Sequence, residues 1–216
     1  ALRYHGEELT LAEDLEDTLE MVQALNNLGT DYRRLGVLDV AQDYHYRAWT
    51  ISKASGDTSH VAKKSRVVAL NGLGYLTVGN YERADSALRM ALAGEKELKS
   101  ELGQAINYAN IGSIFRHQNM NDSAWAYFRK SMELNQKVNN MLGISLCHTY
   151  YGSMYERERR YDKAEEEYEK AYELMKASHD DWHALNSLIA LASINLTKGD
   201  NARAFDFLSK AKRMAE

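Results

Sequence analysis

The sequence predicts an all-α protein, a right-handed superhelical solenoid of antiparallel helix pairs. Three observations predict it. A skeleton of small and aromatic residues recurs roughly every 40 residues along the chain. Apolar residues repeat every three or four positions, the spacing of one helix face and not of a strand. Side chains suited to capping a helix stand at nearly constant intervals before these runs. A fixed period of this size marks a stacked-repeat architecture.

The skeleton is clearest in Tyr151–Ala171, where Gly152, Tyr155, Tyr161, Ala164, Tyr168 and Ala171 hold the small and aromatic positions. Gly112, Phe115, Ala124, Phe128 and Ser131 repeat it one period earlier, and Ala192, Ala204, Leu208 and Ala211 repeat it one period later. Gly29, Tyr32, Gly36, Ala41 and Ala48 form a first copy, and Gly72, Tyr75, Gly79, Tyr81, Ala84, Leu88 and Ala91 a second.

The helix starts fall at Asp17, Ser59, Ser100, Asn140 and Asp180, at nearly even intervals of which the first is slightly the longest. Each can accept a hydrogen bond from a free N–H of the first turn. Asp17 and Glu20 have the spacing of a capping box. These starts divide the chain into a partial unit over residues 1–16 and complete units over 17–58, 59–99, 100–139, 140–179 and 180–216. The partial unit reads as a trailing helix that covers the apolar face of the first complete one. Each leading helix should span roughly 18 residues. The extra length of the first interval falls near Ser55–Ser59, where Gly56-Asp57 signals a turn.

Gly29, Gly112 and Gly152 lie inside leading helices, where glycine costs about 1 kcal/mol relative to alanine. Their recurrence implies a close approach of the paired helix that a larger side chain would block. Ala41, Ala84, Ala124, Ala164 and Ala204 should serve that contact from the trailing helices. In the second repeat either Gly72 or Gly74 could take this place, and the spacing to Gly79 and Ala84 favours Gly72. Within each pair, turns at Gly36-Val37-Leu38-Asp39, Gly79-Asn80-Tyr81-Glu82, Gln118–Asn121, Arg159–Asp162 and Gly199–Asn201 separate the two helices. Gly and Asn tolerate the left-handed backbone that ends a helix. Asp39, Glu82, Asp122 and Asp162 then put negative charge at the next N-terminus, where the helix dipole favours it.

Composition narrows the function classes. The 216 residues are 44% apolar and 27% charged, with a net charge of −4 and both signs interleaved. That field does not argue for nucleic acid. No apolar run reaches the roughly 18 residues of a membrane span. The chain begins at Ala1 partway through a helical pattern, which suggests a processed chain or a piece of a longer one. There is no proline, so the turns rest on Gly, Asn and Asp. Cys147 is the only cysteine, which excludes an intramolecular disulfide and reads as a small buried hydrophobe. His179 and His183 have the four-apart spacing of a helical metal pair, but no third ligand is near in sequence and no metal is expected. Gly72-x-Gly74 lacks the preceding strand of a dinucleotide loop. No nucleophile–base constellation is visible, so no enzyme activity and no cofactor are expected.

The Gly-x-x-Tyr, Gly-x-Tyr-x-x-Ala and following Ala pattern resembles the tetratricopeptide repeat over nearly the whole chain. The units are longer than the usual length of about 34 residues, and the proline that usually follows the second helix is missing. Such long units are similar to those of kinesin light chain, peptide-sensing bacterial regulators and the sensory regions of bacterial histidine kinases. The Asn-rich leading helices and the Asp-Ser-Ala and Tyr-Asp-Lys-Ala turns place the chain nearest the bacterial sensor group. The resemblance implies a non-catalytic scaffold that binds a protein or peptide in a concave groove lined by the leading helices. It would be the input region of a two-component or other regulatory protein, periplasmic if that sensor role holds and otherwise cytoplasmic. The alternative is a structural module that makes homo-oligomers by stacking end helices.

The groove so implied would carry Gln23, Asn26, Thr30, Arg33 and Arg34 from the first unit and Ser113, Arg116 and His117 from the third. Thr149, Ser153, Glu156 and Arg157 would come from the fourth, and Asn186 and Ser193 from the fifth. Ser113, Ser153 and Ser193 are equally spaced, with Thr30 as a fourth member of the polar row. Hydroxyls and amides beside guanidinium groups suit a peptide backbone and its carboxylates. The Lys and Asn pattern that clamps a C-terminal carboxylate in chaperone-binding members is absent.

Overall fold

The computed structural model describes residues 1–76 and 81–215, apart from the side chains of Tyr75 and Leu76. The expected turn at Gly79-Asn80 and the packing of Tyr75 lie outside these residues. Among the described residues the regular structure is helical throughout: α1 (Leu2–Asp14), α2 (Thr18–Arg34), α3 (Leu38–Ala54), α4 (His60–Leu76), α5 (Tyr81–Glu97), α6 (Glu101–His117), α7 (Asn121–Lys137), α8 (Met141–Arg157), α9 (Tyr161–Ala177), α10 (Asp181–Lys198) and α11 (Asn201–Ala215). The leading helices α2, α4, α6 and α8 each run 17 residues and α10 runs 18. No described helix is long and apolar enough to cross a membrane. The chain forms two compact units, Ala1–Ile114 and Phe115–Glu216.

Four of the five expected caps form. The Asp17 carboxylate accepts from the Leu19 and Glu20 amides, both at 3.1 Å. Ser59 caps Ala62 at 3.2 Å, Ser100 caps Gly103 at 3.0 Å and Asp180 caps His183 at 3.1 Å. Asn140 departs from the expectation, because its amide turns back to donate to Asn135 Oδ1 at 2.8 Å. The capping box at Asp17 is only half made, since the Asp17 amide bonds to the Ala12 carbonyl and not to Glu20.

That Asp17–Ala12 bond belongs to a recurring helix end. The Glu16 amide bonds to Glu13 O while the Asp17 amide bonds to Ala12 O, closing the helix through a left-handed residue. Gly36 (φ +78°) and Gly199 (φ +81°) adopt this backbone as expected, and so does Asn119 (φ +59°). Glu16, Lys99, Arg159 and His179 adopt it too, without glycine's freedom. The left-handed region costs an L-residue roughly 1–2 kcal/mol, while glycine loses about 0.5–1 kcal/mol of chain entropy. Lys99 is exposed at φ +54°. Lys99→Gly should therefore raise the unfolding free energy by about 0.5–1 kcal/mol, read as a higher urea midpoint.

In the first compact unit α1 lies on α2 and α2 pairs with α3, with Leu9, Val22, Leu25, Leu28 and Ala48 buried together. His5 Nδ1 donates to Asp31 Oδ2 at 2.7 Å and ties α1 to α2. The linker after α3 turns at Gly56 (φ +66°). Arg66 holds it by donating to the Ser52 carbonyl at 2.7 Å and the Asp57 carbonyl at 3.2 Å.

In the second compact unit Phe128 stacks on Tyr150, centroids 4.8 Å apart, over buried Ala124 and Met154. Glu165 joins three helices from a buried position. Lys198 of α10 approaches it at 2.6 Å, Asn195 of α10 donates to it at 2.9 Å, and Arg203 of α11 lies at 2.7 Å. Burial alone would raise the Glu165 carboxyl, but these donors and charges hold it below its usual range. Cys147 is buried, and burial pushes its thiol up.

The alanine and glycine contacts explain the repeat. Ala41, Ala84, Ala124, Ala164 and Ala204 are each at most 1% exposed. A Cβ on Gly152 would sit 2.5 Å from the Tyr168 ring of the paired helix, and one on Gly29 would sit 2.8 Å from the His45 ring. The second repeat corrects the spacing argument. Gly74, not Gly72, faces the paired helix, against Leu88 of α5. Gly72 faces backward, against His45 of α3. His45 is thus wedged between glycines of two leading helices.

Candidate functional site

In the first compact unit the leading helices α2, α4 and α6 leave two adjoining recesses. One, of about 350 Å³, is lined by Gln23, Asn26 and Asn27 of α2 and by His60, Val61, Lys64, Ser65 and Val68 of α4. The other, of about 310 Å³, is lined by Thr30, Arg33, His45, Val68, Asn71, Gly72, Ile106 and Asn110. Val61, Val68 and Ile106 are exposed, so apolar side chains lie open beside the polar ones.

Four of the sequence-predicted residues, Gln23, Asn26, Thr30 and Arg33, line these recesses. Asn26 also has an internal duty. It is 4% exposed, donates to the Ser65 carbonyl at 2.9 Å and accepts from His45 Nδ1 at 3.2 Å. It therefore ties α2 to both α3 and α4. Arg34 is exposed at the end of α2 and lines neither recess. Ser113 is half-buried in α6.

The second compact unit gathers another set at the last turn of α6 and along α8. Arg116 Nη1 donates to Ser153 Oγ at 3.4 Å, and Arg116 Nη2 lies 3.4 Å from His117 Nε2. The Arg116 Nε is buried with no hydrogen-bond partner among the described residues. Arg157 donates to Asn119. Partial burial, and after it the nearby Arg116 and Arg157 charges, hold the His117 imidazole below its ordinary pKa. Glu156 accepts from the Tyr168 hydroxyl at 3.1 Å and borders this cluster. Burial and the Glu156 charge push the Tyr168 phenol up.

Thr149 and Asn186 are turned to their own helices, and Ser193 to solvent. Thr149 donates to the Ser145 carbonyl at 3.2 Å, and Asn186 donates to the Trp182 carbonyl at 3.0 Å. Ser153 donates to the Tyr150 carbonyl at 2.9 Å while accepting from Arg116. Ser193 is exposed.

Sequence reasoning placed no site residue on α4, which supplies part of the wall of each recess. Ser65, Val68 and Asn71 recur at i, i+3 and i+6 and would have marked that face. The open choice between Gly72 and Gly74 hid it, because it left the rotation of α4 open. His45 was missed although it occupies the repeat position of Leu88, Phe128 and Tyr168.

Chemically, the site can hold a ligand by hydrogen bonds, charge and apolar contact. Among the described residues no group of three or more His, Cys, Asp or Glu side chains converges as a metal site. His183, one of the two helically spaced histidines, pairs with Asp180 at 2.8 Å.

Stacked helix pairs with an open face of leading helices define a solenoid of the interaction-scaffold class. A tetratricopeptide-repeat family model matches residues 145–216, and a second matches residues 105–138. Residues 105–138 and 145–216 thus carry tetratricopeptide repeats.

Among curated proteins it is similar to the human protein O-mannosyl-transferase TMTC1, at 25% identity over 191 residues. That match covers 87% of this chain but only 18% of the human protein. Among solved structures it is similar to BtubC from P. vanneervenii, with a TM-score of 0.76, 17% identity, and coverage of 99% of this chain and 89% of that one. The quorum sensor NprR from B. thuringiensis, in its apo form, gives a TM-score of 0.73 at 15% identity, covering 97% of this chain and 59% of that one. Aspartyl phosphate phosphatase F from Bacillus subtilis gives 0.68 at 13% identity, covering 99% and 64%. At these identities the structural likenesses speak to the fold.

Proposed function

We propose that the chain is a non-catalytic scaffold that captures a peptide or a protein segment along its leading helices, as the input region of a bacterial signalling protein. The observation that carries this reading is the lining of the two recesses. Amides, a hydroxyl and a guanidinium stand beside exposed valine and isoleucine side chains, the mixture that holds an extended chain by its backbone and side chains together. In the second compact unit, the cationic cluster of Arg116, His117 and Arg157 suits carboxylates. The tetratricopeptide-repeat matches support a binding role, and the likeness in fold to a bacterial quorum sensor supports the signalling setting.

The test uses peptides that the 216-residue chain selects from a random library. The double change Arg33→Glu with Arg116→Glu should abolish retention of those peptides, while circular dichroism shows unchanged helix content. Undiminished retention would remove the groove assignment.

A further inference from the structure

A third recess of the first compact unit lies between the trailing helices α3 and α5 and shares no residue with the two on the leading helices. It is an open groove of about 460 Å³. Tyr46 and Trp49 stand on one side, Ala87 and Met90 on the other, and Leu70 and Leu73 of α4 form the floor. Tyr46 is 54% exposed and Met90 45%, so the apolar walls can be reached from solvent.

The groove exists because one ring is missing. Ala87 and Phe207 hold the same repeat position, each just before the leucine of the skeleton, Leu88 or Leu208. Phe207 is buried with Leu188, Leu191 and Ala211, and Tyr172 packs against them. The first compact unit builds the matching cluster from Val67, Leu70 and Ala91, with Trp49 and Ala87 packed against it. In the third repeat the position belongs to Tyr127, which stacks on Phe115 with centroids 5.3 Å apart. In the fourth it belongs to Glu167, which pairs with His148 at 2.7 Å. Ala87 supplies only a methyl group where two other repeats supply a ring, and the seat for that ring stays open.

Charge narrows what can fill the seat. Arg83 lines the groove and no carboxylate does. Lys53 Nζ lies 5.1 Å over the Trp49 ring centroid. The fitting occupant is an aromatic side chain beside a carboxylate, and the chain itself displays one. Its most exposed described rings are Phe205, Trp182 and Tyr4. Tyr4 follows Arg3 and meets His5 edge-on, so its surroundings are basic. Phe205 precedes Asp206, whose carboxylate is taken by Lys210 at 2.6 Å. Trp182 is 68% exposed and follows Asp181, which is exposed and makes no ion pair among the described residues.

We infer that Trp182 of one copy docks in the α3–α5 groove of a second copy, with Asp181 facing Lys53 and Arg83. The indole lies on Leu70, Ala87 and Met90, and Gln42 or Ser86 of the same groove accepts its N–H. Ring and groove are different surfaces, so each copy offers one of each. The contact is head-to-tail, and copies add in a row rather than pairing about a two-fold axis. This surface is separate from peptide capture on the leading helices and stands or falls without it.

Sedimentation of the 216-residue chain from about 10 μM to about 1 mM, the range of a small weak interface, should show mass rising with concentration. Trp182→Ala, at an exposed site, should weaken association at least about tenfold. Ala87→Phe restores the ring of the other repeats and should abolish association with helix content unchanged. A mixture of the two variants should give a one-to-one dimer and nothing larger, because only one intact ring meets only one intact groove. Lys53→Glu alone and Asp181→Lys alone should each weaken association by about threefold, and the two changes in one chain should restore it. This charge exchange decides the matter even where Ala87→Phe unfolds the chain. A monomer across the whole range overturns the proposal, as does association indifferent to Trp182→Ala. Failure of the mixed variants to dimerise, or of the charge exchange to restore association, overturns it equally.

Discussion

Phe128→Ala should lower the unfolding free energy by about 3–5 kcal/mol, the largest loss expected from any single truncation discussed for this chain. Phe128 is 0% exposed and its ring stacks on Tyr150 at an interplanar angle of 9°. It also lies among Ala124 and Met154, both 0% exposed, which leaves little slack to collapse into the space of a lost ring. The cost therefore combines the lost transfer energy with a cavity that persists. Phe205→Ala is the control. That ring is 72% exposed, and its loss should stay within about 0.5 kcal/mol. Urea titration followed by circular dichroism gives the two differences. Hydrogen exchange should place the Phe128 loss in residues 115–215, because repeat units respond to damage largely through their neighbours. A Phe128→Ala midpoint as high as that of Phe205→Ala would contradict the packing described.

Acid should weaken the first compact unit before it titrates most carboxylates. The unfolded His45 imidazole takes up its proton as the pH falls through 6.5, whereas the folded ring, buried and close to Arg33, resists until about pH 4. Between those values the unfolded chain binds more protons, so stability drops as the pH drops. The contribution is complete above pH 6.5 and gone near pH 4, and it amounts to roughly 3 kcal/mol in all. From about pH 7 to about pH 5.5 the loss should be roughly 1 kcal/mol, a range in which most carboxylates stay ionised. His45→Gln removes the titrating group. The urea stability of the wild type relative to this variant should fall with pH across that window and stay level above it. Direct NMR titration of the His45 ring supplies the second readout, and a folded pKa near 6.5 would refute the prediction.

The helix pairs were legible in the sequence because their causes are local. A side chain that caps a helix, an alanine that meets a glycine, and an apolar residue every three or four positions all leave their mark in the letters. Asp17, Ser59, Ser100 and Asp180 cap as their chemistry dictates. Asn140 does not, because Asn135, itself buried, offers its amide a better partner across the turn. Glu16, Lys99, Arg159 and His179 close helices with a backbone that no feature of those side chains advertises. That geometry is imposed by the two amide–carbonyl bonds of the helix end and by the start of the next helix. The rotation of α4 was harder still, since Gly72 and Gly74 both satisfy a requirement for smallness and differ only in which neighbour presses on them. The recess-lining residues of α2 were legible as the wet side of an amphipathic helix. Those of α4 depended on that rotation, and the burial of His45 depended on three helices meeting.

One imidazole rests against the backbones of α2 and α4 together. The gap between those helices is therefore not adjustable at either glycine alone. A bulkier side chain at position 45 would push both rods outward at once, and a smaller one would let both settle inward. The width of the adjoining recess thus behaves as a single dial, turned by a residue that is hidden from solvent and makes its impression at two joints simultaneously.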